Sequence, residues 1–233
     1  MKSLSFITDA ENIGAIPHPV PASGCMPAWY KTMSSKMDEH KPSHINNPTM
    51  KVCPGIHDIL KLGYMVPAWC DFYIDLTNPD RGVGFESSSG DDFLDIFPLS
   101  ASRGFTFPEG HAPMFLKFRS PWRIQSTDNL SVLVTAPKYQ FNNSYTVYDG
   151  AMDVGPFIAD VNFIISVKQG SYIEFKRGEP LLQLIPFETN SFKSDVKPVD
   201  DSIYAKWKQQ MRSMKSYAFG GFFKTFHKNK TFS

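Results

Sequence analysis

Six side chains able to bind a soft metal or act as nucleophiles crowd residues 25–70, within the first third of the chain: Cys25, His40, His44, Cys53, His57 and Cys70. Cys53 and His57 are four residues apart, as are His40 and His44, so a helix would set either pair on one face. A tetrahedral zinc site needs four thiolate or imidazole ligands, and Cys53 with His57 are the metal candidates of this set. No Cys-x-x-Cys pair is present, and the adjacent His57-Asp58 lacks the spacer of a His-x-Asp iron site. The structural alternative makes the cysteines small core residues. A metal-dependent enzyme built on this cluster ranks third among the functional expectations. Gln183 is a second residue with chemistry, set in the greasy run GEPLLQLIPF at 178–187. A buried amide there must find partners, either on a ligand or on neighbouring backbone or subunit. The third group is C-terminal: from Ser202 to Ser233 there are six lysines, one arginine and no acidic residue, interleaved with aromatics. Such a mix can stack on and neutralise single-stranded nucleic acid. The scarcity of arginine, the better donor for that role, favours a helix whose lysines stay in water, so nucleic acid is not the expected partner.

The commonest enzyme designs leave no mark. Gly-x-Ser-x-Gly, a phosphate-cradling loop and a dinucleotide-binding glycine fingerprint are all missing. With 24 basic against 23 acidic residues, no global field draws the chain to nucleic acid or membranes. No apolar run approaches the length of a bilayer span, and the N-terminus does not read as an export signal. Three cysteines cannot all pair within one chain, so reduced thiols in a cytoplasmic setting, with no membrane partner, are expected.

The elements that must hold these residues are mostly extended. Twenty phenylalanines, nine tyrosines and four tryptophans favour strands, and 18 prolines with 15 glycines favour turns. We expect a single domain over 1–233: a proline-rich arm at 1–52, a β core at 53–190 and a C-terminal helix with a basic aromatic tail from 200–220 onward. Pro17, Pro19, Pro21 and Pro27 forbid a continuous helix in the arm, where Trp29 and Tyr30 are the expected anchors. Pro54 suits a first helical turn, Ile56, Ile59 and Leu60 recur at helical spacing, and Gly63 is a plausible stop, so a short helix spans about 54–62. Phe72, Ile74 and Leu76 alternate with Asp71, Tyr73 and Asp75, as in a half-buried strand. Further strands are read at FLDIFPL, FTFPEGHAPMFLKF, WRIQS, LSVLVTAP, YTVYDGAMD, DVNFIISVKQ, SYIEFKRG and EPLLQLIPF. Ile203, Trp207, Met211, Met214 and Ala218 mark an amphipathic helix that Gly220 and Gly221 end.

Two resemblances follow from these segments. KVCPGIHDILKLGY, SPWRI with its following SVLV, and GEPLLQLIPF resemble an uncharacterised domain family of phage and bacterial proteins over about 17–225; that family implies no activity. More locally, residues 148–187 resemble the C-terminal half of the deoxyuridine triphosphatase and deoxycytidine triphosphate deaminase group. Gly150, Ala151, Met152 and Asp153 fit that group's first element, and Gly178, Glu179, Gln183 and Leu184 its second. The resemblance implies a dUTPase-like β-clip barrel, a homo-oligomer (usually a trimer) and nucleotide sites between subunits. It makes Asp153 the candidate catalytic base, and Gln183, Arg177 and Glu179 candidate ligand-binding residues, with Mg²⁺ as cofactor if nucleotide is bound. The purely structural alternative makes Asp153 a turn residue. The chain departs from the group's pattern. The arginine-serine-glycine phosphate motif and the glycine-rich tail are missing, Pro156 replaces an aromatic, and Pro180 stands near an expected arginine. A triphosphate needs several directed donors, so the expectation is a retained fold without the known chemistry. The leading functional expectation is a non-enzymatic phage-type protein, in the host cytoplasm if viral, that binds a protein partner or forms part of an assembly and needs no cofactor. A nucleotide-binding or nucleotide-hydrolysing relative is the competing expectation.

Overall fold

The computed structural model describes residues 2–35, 49–155, 157–189, 193–196, 198 and 200–216. It is mainly β. The strands are β1 (Ser5–Ile7), β2 (Val20–Pro21), β3 (Tyr64–Pro67), β4 (Phe72–Asp75), β5 (Gly84–Ser87), β6 (Leu94–Phe97) and β7 (Phe115–Gln125). They continue with β8 (Ser131–Thr135), β9 (Tyr145–Tyr148), β10 (Gly150–Asp153), β11 (Ala159–Val167), β12 (Tyr172–Phe175) and β13 (Pro180–Phe187). Among the described residues there are three α-helices: α1 (Ala28–Thr32), α2 (Pro54–Lys61) and α3 (Asp201–Ser216). No helix among the described residues is long and apolar enough to cross a membrane.

The strands form three antiparallel sheets. The first runs β1-β7-β11-β9 with β6 beside β7, the second β10-β8-β13-β3-β2, and the third β12-β4-β5. These orders are open. All three sheets feed one apolar core: Phe118, Ile124 and Phe163 from the first, Val66, Val134 and Leu182 from the second, Phe72, Ile74 and Phe175 from the third. Phe72 of the third sheet lies 5.6 Å from Phe118 of the first, ring centre to ring centre, so aromatic rings fill the space between sheets. Residues Met1–Cys25 and Gly63–Thr189 form one compact unit, which holds every strand named above; Met26–Leu62 and Asn190–Ser233 form the other.

Local sequence explains the principal bends. WRIQ and FLKF, from two of the expected strands, belong to one long strand, β7, and its Pro121 lies where the register against β11 slips between Asp160 and Asn162. Proline lacks the ladder donor, so a bulge is where a long strand tolerates it. The bend lets β6 pair with one end of β7 and β1 with the other. The proline-rich arm thus contributes two short edge strands, β1 and β2, too short to carry a readable alternation. In the second unit, α2 starts at Pro54, buries Ile56 and Leu60, and ends just before Gly63. Gly63 has φ +75, and a Cβ there would lie 2.0 Å from the carbonyl oxygen of Leu184. Only glycine admits both the left-handed backbone and that approach to β13. Tyr30 is 3% exposed and donates its hydroxyl to the carbonyl of Lys51 at 2.9 Å, and Trp29 beside it is half-buried. Trp207 of α3 is 51% exposed and stacks on Tyr204 at 5.7 Å. His40, His44, Pro156, Ala218, Gly220, Gly221 and the basic aromatic tail lie outside the described residues, as do the side chains of Met211 and Met214.

Candidate functional site

The most distinctive surface is built on the outer side of the first sheet. Period-two alternation sends Leu116 and Phe118 of β7, and Phe163 and Ile165 of β11, into the core. Phe115, Lys117, Ile164 and Ser166 face the other way. Phe97 stands opposite Phe115, and Tyr148 opposite Ile164. Phe105 and Phe107, from the loop before β7, close the group: Phe105 lies 5.0 Å from Phe107 and 4.9 Å from Phe115, and Phe115 lies 5.2 Å from Tyr148, ring centre to ring centre. Phe97, Phe105 and Ile164 remain 38%, 43% and 37% exposed.

Beneath this group lies a polar network. Ser166 is fully buried although its strand position points outward. Its Oγ lies 2.7 Å from His111 Nδ1 and 2.8 Å from the Tyr148 hydroxyl. The chain reaches His111 through the turn at Gly110, φ +76, and His111 then pairs with Lys168 beyond the end of β11. Burial pushes the His111 pKa down, with Lys168 adding to the effect and the hydrogen bond to Ser166 opposing it. The imidazole is therefore neutral near pH 7. A serine beside a neutral histidine has the form of a nucleophile and its base, but an enclosed hydroxyl offers no line of attack. The network does fix the Tyr148 ring within the aromatic group.

The sequence-predicted residues fall elsewhere. Asp153 ends β10 opposite Ser131 of β8 and is exposed. The Ser131 hydroxyl donates to its carboxylate and accepts from Thr189 at 2.7 Å. Gln183 is 1% exposed in the middle of β13, between Met65 of β3 and Thr135 of β8. Its Oε1 accepts from the Lys138 backbone N–H at 3.0 Å. Asp153 thus stands at one end of β8 and Gln183 at the other, separated by roughly 13 Å of strand. Within one chain they do not meet.

The chain matches no protein-family model and no curated protein.

The remaining candidates have backbone roles. Gly178, φ +87, occupies the third position of the turn between β12 and β13, where the Glu179 N–H donates to the Lys176 carbonyl at 3.0 Å. A positive φ there is what a type II turn requires. The Glu179 carboxylate accepts from the Lys176 N–H at 3.3 Å. Arg177 donates its N–H to Asp71 at 2.7 Å and its guanidinium to the Ala15 carbonyl at 2.6 Å. In the second unit Cys53 stands at the N-terminal boundary of α2 without a side-chain capping bond and is exposed, and His57 Nδ1 lies 3.7 Å from Asp58. Among the described residues no three His, Cys, Asp or Glu side chains gather as a metal site would need. Sequence reasoning passed over Ser166, His111 and Tyr148. The signal was there in FIISVK, where a lone serine breaks an apolar run as Gln183 does in its own strand.

Proposed function

We propose that the protein works by binding and assembly rather than by catalysis, as a homo-oligomer whose subunits meet through the aromatic face of the first sheet. The observation that carries this is the exposure of Phe97 and Ile164 on the outer side of the first sheet and of Phe105 in the loop packed over it, with Tyr148 held by its bond to Ser166. Clustered apolar exposure of this kind marks contact surfaces. A β-clip-like barrel, a trimer and kinship with the phage and bacterial family belong to the same proposal. Their support is the Gly178–Leu184 element, which folds as the glycine turn and strand that the resemblance calls for. A cytoplasmic setting, the host's if the protein is viral, goes with it. Light scattering on the purified chain tests the reading. The wild type should be oligomeric, and Ile164→Lys with Phe105→Ser should reduce the mass to a monomer without unfolding it. A strictly monomeric wild type at high concentration refutes it.

A nucleotide-binding relative is the second reading, favoured by Asp153, an exposed carboxylate on a strand end with Ser131 and Thr189 hydroxyls beside it. In an oligomer, Gln183, Arg177 and Glu179 could approach Asp153 only across subunits. A panel of deoxynucleotides with Mg²⁺ tests this, because ligand that binds the native state raises the melting temperature. Under the leading reading the panel is flat.

A further inference from the structure

Two edge strands from different sheets line one cleft. Among the described residues β5 pairs only with β4, and β6 only with β7, so each leaves one backbone edge without a described neighbouring strand. The cavity between them has a volume of about 600 Å³. Phe85, Leu94 and Ile96 supply its apolar surface, and Glu86, Asp91 and Asp92 its charge; among the described residues no lysine or arginine lines it. Ile96 lies on the opposite side of β6 from Phe97, so the cleft is distinct from the aromatic face and does not depend on it.

Unpaired strand edges attract extended chains, and proteins usually guard them with lysine, proline or a bulge. The strands GFES and LDIF carry neither lysine nor proline. We propose that this cleft is a docking groove for an extended, lysine- or arginine-bearing segment of a protein partner, which adds a strand to the free edge of β5 or β6. The open edge supplies backbone hydrogen bonds, and alternate side chains of the guest point to opposite sides. One set meets Phe85, Leu94 and Ile96; the other meets Glu86, Asp91 and Asp92. Both host strands have four residues, a length of roughly 13 Å at about 3.3 Å per residue. The carboxylates select by sign: a basic guest gains attraction, and an acidic one meets repulsion in a partly desolvated cleft.

The test uses the full chain and a fluorescently labelled, N-acetylated peptide alternating lysine with valine, followed by anisotropy. A glutamate–valine peptide and a backbone N-methylated lysine–valine peptide serve as comparisons. The lysine–valine peptide should bind about tenfold more tightly than either, since one comparison reverses the charge and the other removes strand donors. Ile96→Lys should weaken it by about tenfold while leaving the melting temperature and solution mass unchanged. Asp91→Lys should reduce the preference for the basic peptide. Absence of saturable binding, equal affinity for both charges, or indifference to N-methylation overturns the proposal. A change of solution mass in Ile96→Lys also overturns it, because the cleft then pairs copies of this chain. Failure of the aromatic-face reading would show in the mass of the wild type alone, and so is distinguishable.

Discussion

Gln183 gives the sharpest test of structure against function. It is 1% exposed, at the centre of the second sheet, and its Oε1 takes the Lys138 N–H at 3.0 Å. If the residue serves the fold, Gln183→Leu keeps the volume but leaves that amide without its acceptor. The contact is part-buried, so the cost is about 1–2 kcal/mol. Gln183→Ala adds a cavity, for a total of about 2–5 kcal/mol by analogy with other large-to-small core changes. For a chain of this size each kcal/mol lowers the melting temperature by roughly 2–4 °C. Thermal and urea denaturation of the purified variants, with no ligand added, should therefore show both less stable than wild type and alanine the worse. A residue kept for a ligand behaves in the opposite way: its replacement by leucine in an apolar strand is neutral or stabilising. A Gln183→Leu protein as stable as wild type would refute the structural argument.

Three further outcomes follow from the same structure. Gly63→Ala must leave a left-handed backbone and a contact of 2.0 Å with the Leu184 carbonyl, so it should lose about 3 kcal/mol or more in chemical denaturation. Thiol labelling of the native protein should modify exposed Cys53 first and Cys70 last, because Cys70 is 6% exposed and burial raises its pKa; rapid modification of Cys70 would contradict the core packing. Burial lowers the His111 pKa below its ordinary 6.5, so the unfolded chain takes up the proton first as pH falls. The stability His111 confers is complete above about pH 6.5 and is lost as acid drives pH down towards the folded value. Urea midpoints at falling pH should drop more in wild type than in His111→Gln.

The strands were legible because alternation is written locally: Phe72, Ile74 and the β7 residues announce their faces without knowing their partners. The helix at 54–61 was legible for the same reason, through Pro54, the spacing of Ile56 and Leu60, and Gly63. Pairing was not legible. YTVYDGAMD reads as one extended segment, yet β9 joins the first sheet and β10 the second, with Asp149 at the crossing. Periodicity gives a strand its two sides but says nothing about which distant strand accepts its hydrogen bonds. The same limit governs the site. The sequence flagged Gln183 as a polar residue needing partners, and only the sheet supplied the Lys138 amide. It gave no hint that Ser166, His111 and Tyr148 would meet, because 55 residues separate His111 from Ser166; the bridge of His111 to Lys168 closes that distance, and the pairing of β9 with β11 brings in Tyr148. Composition and local pattern determined that this chain folds into antiparallel sheets around an aromatic core. Which edges stayed open, and which aromatic residues gathered on one face, was decided by contacts between strands far apart in sequence.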